Sequence, residues 1–158
     1  MVTAINVYLV TDGNGQEAVA FYQEVFQAKV VNLLLWKDGV PDCPKTHEHL
    51  ILNAQLDIDG IRLDLSDENP DVGYRAGVNM TASIMVDSIE EAQRIYDKLI
   101  TNAKAINLPL QETFWSPAYA NITDQFGMMW QLNTELKAEH SKIDNPPSLR
   151  GVSFLYSF

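Results

Sequence analysis

Two short amphipathic stripes, each preceded by one strand-like run and trailed by three more, constrain this chain more than any other feature. The first begins at Gln16, where Ala18, Phe21, Tyr22, Val25 and Phe26 fall on one helical face, with Asn14 as the expected cap and Glu17 three residues on. The second follows Ser88, which forms a capping box with Glu91 and aligns Ile89, Ala92, Ile95, Tyr96 and Leu99. Alternating runs from Thr3 to Thr11 and from Val78 to Val86 precede them. In the first half, strands are expected over Val30 to Trp36, Leu50 to Ile58 and Ile61 to Ser66. The last two are joined through Asp59-Gly60, a dipeptide suited to positive φ. Val30 to Trp36 is apolar enough to be buried on both faces or to lie at a dimer contact. Lys37 to Glu48 reads as a loop.

The order strand, helix, three strands thus occurs twice. A sheet covered by a helix on one side leaves its other face bare, so each half must associate with another. This places the chain in the α+β class as two βαβββ modules, residues 1–68 and 78–134, joined by a turn-rich linker at 69–77. Residues 135–158 form a C-terminal extension.

Leu108 to Leu132, LPLQETFWSPAYANITDQFGMMWQL, has the pattern of a hairpin with a heavy aromatic load: Phe114, Trp115, Tyr119, Phe126 and Trp130 flank a tight turn at Asp124 to Gly127. Such rings make either core or the wall of an apolar pocket. PLQETFW followed by Tyr119, Asp124, Phe126-Gly127 and Trp130 resembles the signature of the PhnB-like branch of the vicinal oxygen chelate superfamily, which also holds glyoxalase I, bleomycin-resistance proteins and extradiol dioxygenases. YLVTDGNGQEAVAFYQEVF and IDGIRLDLSDENP extend the resemblance over residues 1 to 134. It implies a glyoxalase-like fold with a concave sheet and outer helices, but one scaffold serves many chemistries. First helices of this family end at a glycine where this chain has Gln27, so a left-handed backbone there would be strained.

Net charge is -10, from 21 acidic and 11 basic side chains, which disfavours nucleic acid and anionic membranes as partners. No apolar run approaches the roughly 20 residues of a membrane span, and MVTAINVYLV lacks the basic start of a signal peptide. The lone Cys43 suits a reducing compartment, and a cytoplasmic location is expected.

If the helices cover the apolar strand faces, the opposite faces carry Asn53, Gln55, Arg62, Asp64, Asn79, Thr81, Ser83, Tyr119, Asn121 and Gln131. The resemblance implies that such positions line a cleft where metal-dependent relatives place His or Glu. Its register sets Thr81 at the second-half histidine and Gln131 at the terminal-strand glutamate. On the first strand the candidates are Asn6, Val7 and Tyr8, and only Asp64 is acidic on the later strand. PhnB-like relatives carry a run like MHAEL, where this chain reads Leu52-Asn53-Ala54-Gln55-Leu56. Amides neither titrate near neutrality nor bind transition ions well, so no catalytic metal and no cofactor are expected.

Rival chemistry is thin. Cys43, His47 and His49, with Asp42 or Glu48, match no strong zinc spacing. No G-x-S-x-G elbow or phosphate-binding glycine loop is present. Arg62 and Arg75 could hold an anionic group, although an arginine opposite Asp64 is more often an internal ion pair.

The expected protein is a homodimer that binds a small apolar or aromatic molecule. Trp115, Tyr119, Phe126 and Trp130 would supply stacking surface, and Asn53, Gln55, Thr81, Asn121 and Gln131 would orient polar groups, with Arg62 and Asp64 nearby. The alternative is a metal-dependent lyase, isomerase or dioxygenase acting on adjacent oxygens. In the extension, Val152, Phe154, Leu155, Tyr156 and Phe158 are too apolar for a solvated tail. Deleting residues 148–158 is therefore expected to lower the melting temperature or dissociate a dimer; an unchanged melting curve and mass would contradict this.

Overall fold

A computed structural model describes residues 1–136. The C-terminal segment whose docking the sequence suggests lies outside these residues. The order is β1 (Val7–Thr11), α1 (Gly15–Phe26), β2 (Lys29–Leu35), a one-turn α2 (Trp36–Gly39), β3 (Ile51–Ile58), β4 (Ile61–Asp67), β5 (Ala82–Val86), α3 (Ile89–Leu99), β6 (Ala105–Gln111), β7 (Tyr119–Thr123) and β8 (Met129–Thr134). These form two four-stranded sheets of identical order, β1-β4-β3-β2 and β5-β8-β7-β6. In each, only the first strand runs parallel to its neighbour. The shared topology exposes the repeat that residue identities hide.

The Ser88 arm of the capping box forms, its Oγ accepting from the Glu91 N–H at 3.2 Å, while the Glu91 carboxylate turns to Arg94. Asn14 makes no side-chain cap. A buried carboxylate organises that entry instead: Asp67 accepts from Thr11 Oγ1 and the Gly15 N–H at 2.8 Å each, and from the Ile51 N–H at 2.7 Å. Gly15 is required there because a Cβ would lie 2.7 Å from the Asp67 carboxylate. Asp59 and Gly60 both take positive φ in the β3–β4 turn, as the dipeptide predicts.

Three expectations need correction. β1 and β5 start later than their sequence runs, at Val7 and Ala82. The expected loop after Leu35 opens with α2. β2 is not buried on both faces within the chain: Val30, Val31 and Leu33 are exposed because β2 is an outer strand and α1 packs over β3 and β4.

α1 covers the apolar side of the first sheet, α3 that of the second, and the two helices touch each other. Arg94 Nη1 donates to the Val25 carbonyl at 2.9 Å, and Lys98 pairs with Glu24, closing the helix–helix seam. Both halves therefore share one apolar core.

At its centre Asp124, with no exposed surface, accepts four hydrogen bonds. Oδ2 takes Tyr22 O–H at 2.6 Å and Trp130 Nε1–H at 2.8 Å, while Oδ1 takes the backbone N–H groups of Phe126 and Met128 at 2.9 and 3.0 Å. Around it, Tyr22 packs against Phe21, Phe26, Phe126 and Trp130 with ring centroids 5.4 to 6.0 Å apart. The Asp124–Gly127 turn predicted from sequence is present, with Gly127 N–H donating to the Asp124 carbonyl at 3.0 Å.

Burial, and then the Asp124 charge, push the Tyr22 hydroxyl well above its usual pKa of about 10. Above that pH the unfolded chain releases this proton while the folded chain keeps it, so stability must fall as pH rises past about 10. Tyr22→Phe is expected to cost about 1.5–3 kcal/mol at pH 7, the value of a hydrogen bond to a charged group, and to flatten the alkaline decline. Urea unfolding from pH 7 to 11 reads both effects. The left-handed cap is also observed, with Gln27 at φ 52°. Gln27→Gly is expected to stabilise the fold by about 1 kcal/mol in the same assay.

Candidate functional site

The registers of the two sheets set the expected polar residues into cross-strand rows. On the first sheet, Tyr8, Asp64, Gln55 and Asn32 stand side by side across β1, β4, β3 and β2. Asn53, one level along β3, donates to the Tyr8 hydroxyl at 3.4 Å and accepts from Asn32 Nδ2 at 3.4 Å. Asp64 is buried, and Arg62 Nε reaches both of its oxygens, at 3.0 and 2.8 Å. This pairing holds the Arg62 guanidinium above its ordinary pKa. The internal ion pair is thus present and engages Asp64, while Asp57, further along the same face, accepts from the Gly60 N–H at 3.1 Å.

On the second sheet one row is Ser83, Gln131, Asn121 and Leu108, and the next is Met85, Asn133, Tyr119 and Gln111. Ser83, not Thr81, stands beside Gln131. Thr81 precedes β5 and spends its hydroxyl on the Met129 carbonyl at 3.0 Å. Trp115, half exposed, sets its ring edge-on against Tyr119 at 5.3 Å, and Phe114 does the same to Trp115 at 4.6 Å. Burial raises the Tyr119 pKa, against a smaller lowering by its hydrogen bond with Asn121, so its hydroxyl stays neutral at physiological pH.

Two proposed stacking residues are misplaced. Phe126 is 8% exposed and Trp130 3%, both packed on the helix side against Tyr22. Parity explains Trp130: it is adjacent to Gln131 on β8 and must face the other way. Asn32, Met85 and Asn133 were missed, although alternation from Asn53, Ser83 and Gln131 pointed to the last two.

The structure also does not bring the two polar faces together within one chain. Both sheets turn their apolar sides to the helices, no strand of one pairs with a strand of the other, and the polar faces look away from the common core. Two cavities of about 260 and 360 Å³ lie beside the linker, the first also touching Val10 of β1. One is lined by Tyr74, Arg75, Met80 and Met129, the other by Asp12, His47, His49, Glu68 and Tyr74. His47 and His49 sit in a turned segment, not the extended one their spacing suggested, and Cys43 does not join them there.

Residues 4–132 match the model of the Glyoxalase/Bleomycin resistance protein/Dioxygenase superfamily. The chain belongs to this superfamily. Protein YjdN of Escherichia coli (strain K12) is 29% identical over 139 residues, covering 82% of this chain and 93% of that protein. Protein PA1353 from Pseudomonas aeruginosa has a similar structure, with a TM-score of 0.79 at 29% identity over 86% of this chain and 100% of that one. The PhnB protein from Bacillus cereus shares the fold with a TM-score of 0.70 at 23% identity, over 84% of this chain and 100% of that one. The branch that the aromatic signature resembles is thus represented among the structural neighbours.

The resemblance places the metal ligands of metal-dependent relatives on the first and last strands of each half, and the polar residues that stand side by side there are Tyr8 with Asp64 and Ser83 with Gln131. That donor set does not suit a divalent ion. Transition-metal sites gather three or more imidazole, thiolate or carboxylate ligands, whereas here the single carboxylate is engaged by Arg62. Among the described residues no three His, Cys, Asp or Glu side chains are grouped to hold an ion. Nor is any described helix long and apolar enough to cross a membrane.

Proposed function

We propose that this superfamily member is a cytoplasmic small-molecule-binding protein. Its ligand lies between the first sheet of one copy and the second sheet of another. One observation carries the reading. Both free sheet faces present uncharged hydrogen-bonding side chains, Asn53 and Gln55 on one and Asn121 and Gln131 on the other, while Asp64 beside them is neutralised by Arg62 and Asp57, at the β3–β4 turn, accepts from the Gly60 N–H. Amides and hydroxyls orient a polar group without binding a free charge, and the Trp115–Tyr119 pair offers ring surface beside them. The ligand class is accordingly a neutral small molecule with an aromatic or apolar body.

The same geometry supports the homodimer. A single sheet face is an open platform, whereas small-molecule sites enclose most of their ligand. The second wall cannot come from the same chain, whose other polar face points elsewhere. Val7, Val30 and Leu33, exposed on the helix side of the first sheet's outer strands, and Met85 on the second polar face suit contact with a second copy.

A thermal-shift panel of neutral aromatic compounds and divalent ions, with sedimentation equilibrium, tests the reading. Aromatic compounds should raise the melting temperature, manganese, nickel and zinc should not, and the mass should be that of a dimer. Gln131→Ala should weaken the best compound about tenfold, the loss of one hydrogen bond of roughly 1.4 kcal/mol. A stoichiometric ion contacting Asp64 or Gln131 would instead establish the metal-dependent alternative, and a monomer at all concentrations would remove the second wall.

A further inference from the structure

Asn133 stands out within the second polar face. Its Oδ1 is the one buried side-chain oxygen or nitrogen among the described residues that lacks a hydrogen-bond partner. Its Nδ2 does no better than a 3.6 Å approach to the Met85 sulfur, a weak acceptor that Ser83 Oγ also approaches at 3.6 Å. A buried amide carbonyl with nothing to accept from is costly in a folded protein, so such an atom calls for an explanation.

Its surroundings supply one. Asn133 lies between Met85 on β5 and Tyr119 on β7, its direct neighbours in the sheet. Met85 is half exposed, unbranched and free to adopt other rotamers, so the group covering the amide is also the easiest side chain on this face to move. On the far side the Tyr119 ring is braced edge-on by Trp115. A flat group that displaced Met85 would have its sulfur on one side, the aromatic pair on the other and the unused carbonyl oxygen beneath.

We propose that Asn133 is a specificity-determining ligand contact. Its Oδ1 accepts a hydrogen bond from an N–H or O–H carried on an aromatic ring that lodges between Met85 and the Trp115–Tyr119 pair. Sulfur and ring edges favour a flat π-system, and a lone acceptor selects a donor. The assignment rests on the ligand-binding reading of this face and narrows its ligand to aromatic donors.

Phenol and anisole form the discriminating pair, because they share ring and oxygen and differ in the donor hydrogen. Titrating each into the isotope-labelled full chain, and following the Trp115 indole N–H, the Met85 methyl and the Asn133 side-chain amide by NMR, gives both location and affinity. Phenol should shift all three signals and bind about tenfold more tightly than anisole, the worth of one hydrogen bond. In Asn133→Leu, which keeps the branching and heavy-atom count and removes the acceptor, the two compounds should bind alike. Equal affinities in the unmodified chain, or a phenol preference that survives Asn133→Leu, would overturn the assignment while leaving the ligand face itself in place. No shift at any of the three positions with either compound would remove both.

Discussion

The fold depends on one carboxylate. Asp124 accepts from Tyr22 of α1, from Trp130 of β8 and from two backbone N–H groups of its own turn. It therefore fixes the β7–β8 hairpin and ties the first half's helix to the second half's sheet. A fully buried charge is tolerable only when its lone pairs are used, and here all the neighbouring donors converge on it. Asp67 does the same on a smaller scale, holding the ends of β1 and β4 to the start of α1 and of β3. With these two anchors in place, both helices are held between the apolar sides of the sheets.

That arrangement has a consequence for function. Once the apolar faces are turned inward on a shared helical pair, the polar faces are turned outward and apart. Residues that share a chemical role in sequence, such as Gln55 and Gln131, then occupy separate surfaces of one chain. The proposed cleft, walled by both, would therefore take two copies.

Superfamily membership accounts for the scaffold, and the residues on it account for the proposed loss of metal chemistry. The polar side chains that face each other across the first and last strands of each sheet are a phenol, a paired carboxylate, a hydroxyl and an amide, in Tyr8, Asp64, Ser83 and Gln131. None offers a free, basic ligand at neutral pH. What remains is hydrogen-bonding capacity without strong charge, beside an aromatic pair.

By itself the sequence determined the local matters: both helical stripes, the Ser88 cap, the Asp59-Gly60 turn, the left-handed strain at Gln27, and which side chains alternate together along each strand. These depend on a few neighbouring bonds, so a short window contains their causes. Alternation even excluded Trp130 from the face that carries Gln131, although the aromatic richness of the hairpin pointed the other way. Only the tertiary structure decided the rest: that β2 is an exposed outer strand, that Ser83 and not Thr81 stands beside Gln131, that Asn133 is left without a partner, and that the two polar faces do not meet. Each of these depends on register between strands and on how two modules dock. Those are set by hydrogen bonds and packing between residues as much as 102 positions apart, as in Tyr22 and Asp124, which no local pattern records.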